Sequence, residues 1–335
     1  MARVEKVKYY TDEKYSLISN ENLQLYENYL NHHMVVNRDT FESTYVAYQN
    51  SFNQFMVFVA EECDNIGLYS EEFMKDGVNI VLRYMNFCMK VLKNNKKTVN
   101  NKVSAIMSFY NWSDKHRKIP SNPLNNKIER LARANEQQII NDIFLTEEQM
   151  DAISAHLIDS GDDKYDFQDT LLWFIFLDSA NRVGAIEQLS ISKFDAENNC
   201  FRNVIEKEAR SVDVAMSEQT KQLVLWWIEQ RKVSYDLLTE DALFITKFNG
   251  RWNRMTKRTV QRRVQKIGQI VGIEDLHPHS IRKSAASQML DHGVDSYLIS
   301  RYLNHKSMEV LKNYIKTKSS SDLRKQIEEQ LNKNT

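Results

Sequence analysis

The sequence has few of the residues that break helices or form covalent and metal frameworks. Its 335 residues include only 8 glycines, 3 prolines and 3 cysteines. So few breakers, among many Leu, Glu, Lys and Gln residues, predict a mostly helical chain. Cys63, Cys88 and Cys200 are widely spaced and form no C-x-x-C pair, which predicts free, buried thiols in a reducing cytosol.

Long apolar stretches and cofactor motifs are also missing. No run approaches the ~18–20 apolar residues needed to cross a bilayer, and the start MARVEKVKYYTDEKY lacks the apolar segment of a signal peptide. We therefore expect a cytoplasmic protein with no membrane partner. There is no glycine-rich phosphate loop and no H-E-x-x-H motif. The proline inside His277-Pro278-His279 argues against a metal pair there, so we expect neither cofactor nor metal.

Net charge is zero, with 45 Lys and Arg against 45 Asp and Glu, but the charges are segregated. From Arg83 to Arg133 there are twelve basic and two acidic residues, and from Lys247 to Lys266 there are eight basic residues and no acid. The stretch 142–197 is the acidic counterweight. Two basic surfaces predict double-stranded DNA as the partner. The side chains expected to contact DNA are Lys96, Lys97, Asn100, Asn101, Lys102, Lys115, Arg251, Arg254, Lys257, Arg258, Arg262 and Arg263.

Apolar spacing divides the chain into domains. Residues 1–38 form an N-terminal extension with one helix near Asn20–Leu30, which could be an arm, a partner-binding segment or a simple extension. Residues 39–135 form a helical domain, in which the aromatic stripe of FESTYVAYQNSFNQFMVFVAEE is expected to be core. Residues 136–145 form a linker. The second domain, 146–335, begins at Thr146, an N-cap with Gln149 completing a capping box.

Five residues suggest chemistry on a phosphodiester. Arg182 lies in DSANRVGAIEQLS, His279 and Arg282 in HSIR, and His305 and Tyr314 in LNHKSMEVLKNYIK. Guanidinium groups can clamp phosphate oxygens in pairs, which a lysine cannot do. A tyrosine hydroxyl can attack phosphorus while imidazoles move protons or hold developing charge.

In this order and spacing, the residues resemble the tyrosine recombinase (phage integrase) family over roughly residues 40–335. The resemblance implies a mainly α fold: a helical, SAM-like core-binding domain, then a mixed α+β catalytic domain with a small β-hairpin sheet. It implies a further catalytic lysine on that hairpin, and VIEKEARSVDVAM offers Lys207. Tyr314 would form a 3′-phosphotyrosine, Lys207 would protonate the leaving oxygen, and the arginines and histidines would stabilise charge and move protons.

The sequence departs from the family pattern at three positions beside this set. An acid is usual where Ala185 stands, a histidine where Lys283 stands, and a glycine where Asn304 stands. Two hypotheses therefore stay open: a bacterial or phage-encoded recombinase that integrates a phage or mobile element, and an inactive DNA-binding regulator such as a prophage repressor. The core-binding phrase KKTVNNKVSAIMSFYNWSDK and the compact size disfavour a type IB topoisomerase.

The resemblance also implies self-association on DNA as a dimer or tetramer. The terminal segment DLRKQIEEQLNK carries Leu323, Ile327 and Leu331 at four-residue spacing, a narrow apolar stripe. In the family such a tail docks on a neighbouring protomer. Packing against its own domain is the alternative for this segment.

Overall fold

The computed structural model describes residues 9–37, 44–132, 143–159, 161–206, 210–234 and 241–304. The chain divides into two compact units, Met1–Asn141 and Asp142–Thr335. Helices dominate, and the strands form two small antiparallel sheets, so the predicted mainly α fold class is confirmed. Within the described ranges, no helix is long and apolar enough to span a bilayer.

The first unit is helical. Its helices are α1 (Asp12–Tyr15), α2 (Asn20–Val36), α3 (Val46–Glu62), α4 (Glu71–Lys90) and α5 (Lys96–Lys115). The starts of α2, α4 and α5 are fixed by Ser19, Ser70 and Asn95, whose side chains accept hydrogen bonds from backbone N–H groups in the first turn. Asn95 therefore sets the start of α5 within the core-binding phrase KKTVNNKVSAIMSFYNWSDK.

An aromatic core joins α2 to the rest of this unit. Tyr26 of α2 stacks on Phe52 of α3 with ring centroids 4.1 Å apart, and Tyr29 lies edge-on to Phe109 of α5 at 5.7 Å. All four side chains are buried. The predicted N-terminal extension, residues 1–38, therefore contributes helix α2 to the core of the first unit. Phe52, Phe55 and Phe58 of the aromatic stripe are core, as predicted, whereas Tyr45 and Tyr48 are half-buried.

The second unit combines helices and short strands. Its elements are α6 (Glu147–Asp159), α7 (Phe167–Ser179), α8 (Val183–Glu187), β1 (Phe194–Asp195), β2 (Cys200–Ile205), β3 (Ser211–Ala215), α9 (Glu218–Ser234), β4 (Ile245–Phe248), β5 (Arg251–Arg254), α10 (Lys257–Gly268), α11 (Pro278–Asp291) and α12 (Ser296–Tyr302). The capping box of Thr146 and Gln149 is present at the start of α6.

Helix α7 is the centre of the second unit. It packs against α6, α9, α10 and α11 and buries nearly its whole circumference, including Trp173 and Phe176, as its apolar sequence predicts. Asp166 and Asp169 form a capping box at its start. The helix ends at Ala180, which adopts the left-handed conformation with φ 45°. This turn leads the chain directly to Arg182.

Two hairpins supply the strands. β2 pairs with β1 and β3 in an antiparallel sheet, with Phe201 opposite Val214 and Ile205 opposite Ser211. The predicted strands on either side of Lys207 are thus confirmed, whereas Lys207 itself lies outside the described residues. β4 and β5 are joined through Asn249-Gly250, both at positive φ, the turn chemistry that two-residue hairpins favour.

A substitution at Gly268, the last residue of α10, tests the packing of the second unit. A Cβ at this position would overlap the carbonyl oxygen of Ile273 and lie 2.5 Å from Cβ of Leu276. We expect Gly268→Ala to lower the free energy of unfolding by about 1–3 kcal/mol, the usual cost of overpacking. Gly184→Ala, whose Cβ would meet nothing within 4 Å, is the control and should not be destabilised. Urea unfolding of both variants measures this, and equal stabilities would contradict the described packing.

Candidate active site

The predicted catalytic residues that the structure describes border one cavity. Arg182, His279 and Arg282 line a space of about 200 Å³. Its remaining lining residues are Asn181, Val183, Gly184, Glu206, Lys257 and Pro278. Lys207, His305 and Tyr314 lie outside the described residues, so their positions in the site stay predictions.

Arg182 is placed by the turn that separates two helices. The chain leaves α7 at Ala180, and Arg182 precedes α8 in an extended conformation with φ −72° and ψ 150°. Its side chain is 38% exposed, and its Nη1 donates to Oε2 of Glu206 at 2.7 Å. The guanidinium therefore has an open side towards solvent and a buried carboxylate as its counter-ion.

Glu206 is a site residue that sequence reasoning missed. It follows β2 directly, and its side chain is only 3% exposed. Its other carboxylate oxygen, Oε1, is buried and has no hydrogen-bond partner among the described residues. The position expected to carry an acid is Ala185, which is fully buried. The carboxylate beside Arg182 thus comes from the strand end instead of α8. The available signal was a charged residue ending an apolar β-type run, next to Lys207.

Arg282 of α11 is enclosed. It is 1% exposed, its Nη1 donates to the carbonyl oxygen of Ala180 at 2.6 Å, and its Nη2 donates to that of Leu303 at 2.6 Å. These carbonyls belong to the C-terminal ends of α7 and α12, where backbone acceptors lack partners within the helix and favour cations. The guanidinium therefore ties three helices together, and in this state its terminal nitrogens face protein carbonyls.

The two histidines at the start of α11 have different roles. Nδ1 of His277 accepts from the backbone N–H of Ser280 at 3.0 Å, so His277 caps the helix. The exposed His279 borders the cavity, with its ring 6.4 Å from that of His277 and nearly parallel to it. Over the part of the chain that is described, no group of three or more His, Cys, Asp or Glu is placed to hold a metal.

The other two departures from the family pattern lie at Asn304 and Lys283. Asn304 adopts the left-handed conformation with φ 53°, which glycine adopts freely and asparagine tolerates better than most residues. The chain therefore keeps a glycine-like turn just before His305 in the sequence. Lys283 is buried, and its ammonium lies 5.8 Å from the centre of the Phe144 ring. This side chain of α11 therefore packs against the segment that precedes α6.

Comparison with known proteins identifies the family. Residues 143–320 match the Phage integrase family, which is more than half of the chain.

The chain belongs to the tyrosine recombinase (phage integrase) family.

Curated relatives and solved structures agree with this assignment. The tyrosine recombinases XerC of Corynebacterium glutamicum and of Rickettsia bellii are 24% and 23% identical, over 65% and 88% of this chain and 67% and 89% of theirs. The Tn1549 transposon integrase in complex with circular intermediate DNA has a TM-score of 0.62 at 18% identity, covering 92% of this chain and 99% of that one. A lambda integrase dimer bound to a COC′ core site has a TM-score of 0.60 at 13% identity, covering 89% and 78%. At these identities the structures show the fold alone.

The predicted DNA contacts of the first unit differ in their surroundings. The side chain of Asn100 forms two hydrogen bonds with the backbone of Leu131: it accepts from the N–H of Leu131 at 2.9 Å and donates to the carbonyl oxygen of Leu131 at 3.1 Å. Lys96 donates to the carbonyl oxygen of Ala132 at 3.2 Å. These two side chains hold the segment that follows α5. The members of the set with exposed side chains are Lys96, Lys97, Asn101 and Lys115.

The prediction that Lys102 is exposed is wrong. Its side chain is buried in the first unit and donates to the side-chain oxygens of Gln54 and Asn94, with Sγ of Cys88 at 3.8 Å. Burial lowers the pKa of this ammonium. The lysine lies on the core face of α5, where charge is tolerated because polar acceptors surround it. It therefore has a structural role.

In the second unit, two predicted contacts also have internal partners. Arg254 donates to the carbonyls of Glu187 and Leu189 and to Oγ of Ser190, each at 2.8 Å. Arg263 pairs with Asp166 and Asp169 at 2.7 and 2.9 Å. Burial opposes its charge, but the bond to Asp166 and the charge of Asp169 raise the pKa of Arg263 overall. The exposed members of the set are Arg251, Lys257, Arg258 and Arg262.

Arg282→Ala should destabilise the recombinase fold. The change leaves the carbonyls of Ala180 and Leu303 buried without this donor, so we expect a loss of about 2–4 kcal/mol in the free energy of unfolding. Arg301→Ala removes an exposed arginine of α12 and should change stability by less than about 0.5 kcal/mol. Urea unfolding of the two variants checks this. If both are as stable as the wild type, the described bridge is absent in solution.

Lys102 and Lys97 provide a second comparison within α5. We expect Lys102→Glu to lower the melting temperature markedly, because a buried carboxylate would face the oxygens of Gln54 and Asn94. Lys97→Glu changes an exposed side chain and should leave the melting temperature nearly unchanged. Circular dichroism melts of the two variants measure the difference. An unchanged melting temperature for Lys102→Glu would place this side chain at the surface.

Proposed function

We propose that the protein binds a specific sequence of duplex DNA and holds a backbone phosphate at the cavity of Arg182, His279 and Arg282. The convergence of these side chains on one cavity carries the proposal. Guanidinium and imidazole groups suit a phosphodiester, and Lys257 adds a further exposed cation at the rim. Several structures that share the fold, including XerH bound to difH substrate, are DNA complexes.

The first candidate use of this DNA is strand transfer. By the family resemblance, the Tyr314 hydroxyl would attack the phosphorus, and the bond from phosphorus to the 5′ oxygen would break. Lys207 would protonate the departing 5′ oxygen, and His279 or His305 would accept the tyrosine proton. The 3′-phosphotyrosine preserves the energy of the phosphodiester for rejoining. The complete ordered set from Arg182 to Tyr314 favours this candidate, with integration of a phage or mobile element as its setting.

The second candidate is a regulator that binds DNA without cutting it, such as a prophage repressor. Three residues beside the ordered set, Ala185, Lys283 and Asn304, depart from the family pattern and favour it. DNA binding through the exposed cations of α5 and α10 does not require the catalytic set.

Self-association on DNA is part of the proposal for either candidate. The segment DLRKQIEEQLNK, to which the sequence analysis assigns this role, lies outside the described residues. The lambda integrase that shares the fold is a dimer on its core site. A cytoplasmic location at the nucleoid follows from the proposed DNA partner.

Tyr314→Phe tests DNA binding and chemistry separately. The substitution removes only the hydroxyl oxygen, so we expect the variant to bind a duplex selected by the wild-type protein as tightly as the wild type does. Binding of both should weaken steeply with salt as counterions are displaced. Mobility shifts across a salt series measure this. The proposed function fails if the wild type binds no duplex at low salt.

The same proteins on a nicked suicide duplex decide between the candidates. A protein–DNA adduct that survives a denaturing gel with the wild type, and is missing with Tyr314→Phe, supports strand transfer. A duplex that is bound by the wild type but yields no adduct excludes strand transfer and leaves the regulator. Loss of binding in Tyr314→Phe would show that Tyr314 has a structural role, contrary to both candidates.

A further inference from the structure

Glu206 is an anion in a cavity whose other charged groups suit a phosphate. Its carboxylate is almost completely buried, and one oxygen accepts from Nη1 of Arg182 at 2.7 Å. The second oxygen has no hydrogen-bond partner among the described residues. Arg282, His279 and Lys257 border the same cavity. A carboxylate presents a guanidinium with two oxygens much as a phosphodiester does.

The backbone of Glu206 is held by the β2–β3 hairpin. Glu206 directly follows β2, and its N–H donates to the carbonyl oxygen of Arg210 at 2.7 Å, which extends the pairing of β2 with β3 by one step. β2 also contacts α8, the helix that begins after Arg182. The pair of Arg182 and Glu206 therefore joins the end of β2 to the start of α8.

We propose that Glu206 is a built-in competitor of the DNA phosphate for the charge of Arg182, whose guanidinium it positions in the DNA-free protein. This inference rests on the proposed function. A phosphate that binds Arg182 must share this cation with the buried carboxylate, which holds Nη1 of Arg182 and reduces the attraction that the guanidinium offers to a second anion. Glu206 therefore weakens phosphate binding at this site. It makes engagement of Arg182 conditional on favourable contacts elsewhere along the DNA.

Glu206→Gln in the full chain is the direct test. Glutamine keeps the size of the side chain and can still accept from Arg182, but it has no charge. We expect this variant to bind the duplex selected by the wild-type protein about tenfold more tightly, a change of about 1.4 kcal/mol. Glu197→Gln removes one negative charge from the exposed turn between β1 and β2. This matched control should bind as the wild type does.

A double-mutant cycle shows whether the effect acts through Arg182. In the background of Arg182→Ala, Glu206→Gln should no longer raise the affinity for DNA, because the guanidinium for which the carboxylate and the phosphate compete is absent. Glu206→Met removes the charge with a side chain of similar volume and should also raise the affinity. This second variant keeps the test valid if Glu206→Gln folds poorly, and melting temperatures of all variants are recorded alongside the affinities.

The outcomes separate this inference from the proposed function. If the wild type binds DNA and the glutamine and methionine variants at position 206 bind no more tightly than Glu197→Gln, the competitor is excluded and DNA binding stands. A fall in both affinity and melting temperature would make Glu206 a purely structural partner of Arg182, which overturns the inference. A gain that persists without Arg182 would also overturn it. Absence of DNA binding by the wild type would overturn both proposals.

Discussion

The guanidinium of Arg282 holds the second unit's site together. It bridges the backbone carbonyls of Ala180 and Leu303, which terminate α7 and α12 and would otherwise be buried acceptors without this donor. Arg182 follows the first carbonyl by two residues, and Asn304 and His305 follow the second in the sequence. One buried side chain therefore fixes the helix ends from which the predicted catalytic residues continue. Arg282 therefore borders the cavity and also holds together the helix ends beside it.

Charge segregation explains how a chain of zero net charge can have a polyanion as its proposed partner. Some carboxylates of the acidic stretch form ion pairs inside the second unit. Asp169 is fully buried and pairs with Arg263 and Lys266 of α10. These pairs neutralise the inner side of the helix. Arg258 and Arg262 remain exposed and keep their charge at the surface. The local electrostatic potential depends on where the charges lie, and the net charge of the chain does not show it.

The sequence predicted the features that local chemistry determines. Helix starts followed from caps such as Thr146, the strands beside Lys207 from their apolar runs, and the shared cavity of Arg182, His279 and Arg282 from the family resemblance. It missed contacts between distant residues. The pair of Arg182 and Glu206 spans 24 positions and depends on how α8 meets β2. Lys102 was expected to contact DNA as part of the core-binding phrase, and only the tertiary structure shows that the side-chain oxygens of Gln54 and Asn94 surround its ammonium.

The two candidate functions differ in what the guanidiniums contact, because the described site already contains the arginines that both require. Arg282 uses one N–H of each terminal nitrogen for the carbonyls at the ends of α7 and α12, and a guanidinium with five N–H groups can hold a phosphate oxygen as well as both carbonyls. The carbonyl of Leu303 lies at the end of α12, from which the sequence continues to His305 and Tyr314. Clamping a phosphate and placing the nucleophile are therefore coupled through one side chain. In a protein that binds DNA through its exposed cations alone, Arg282 contacts no phosphate, so the partners of Arg282 on DNA are the physical difference between a recombinase and a repressor.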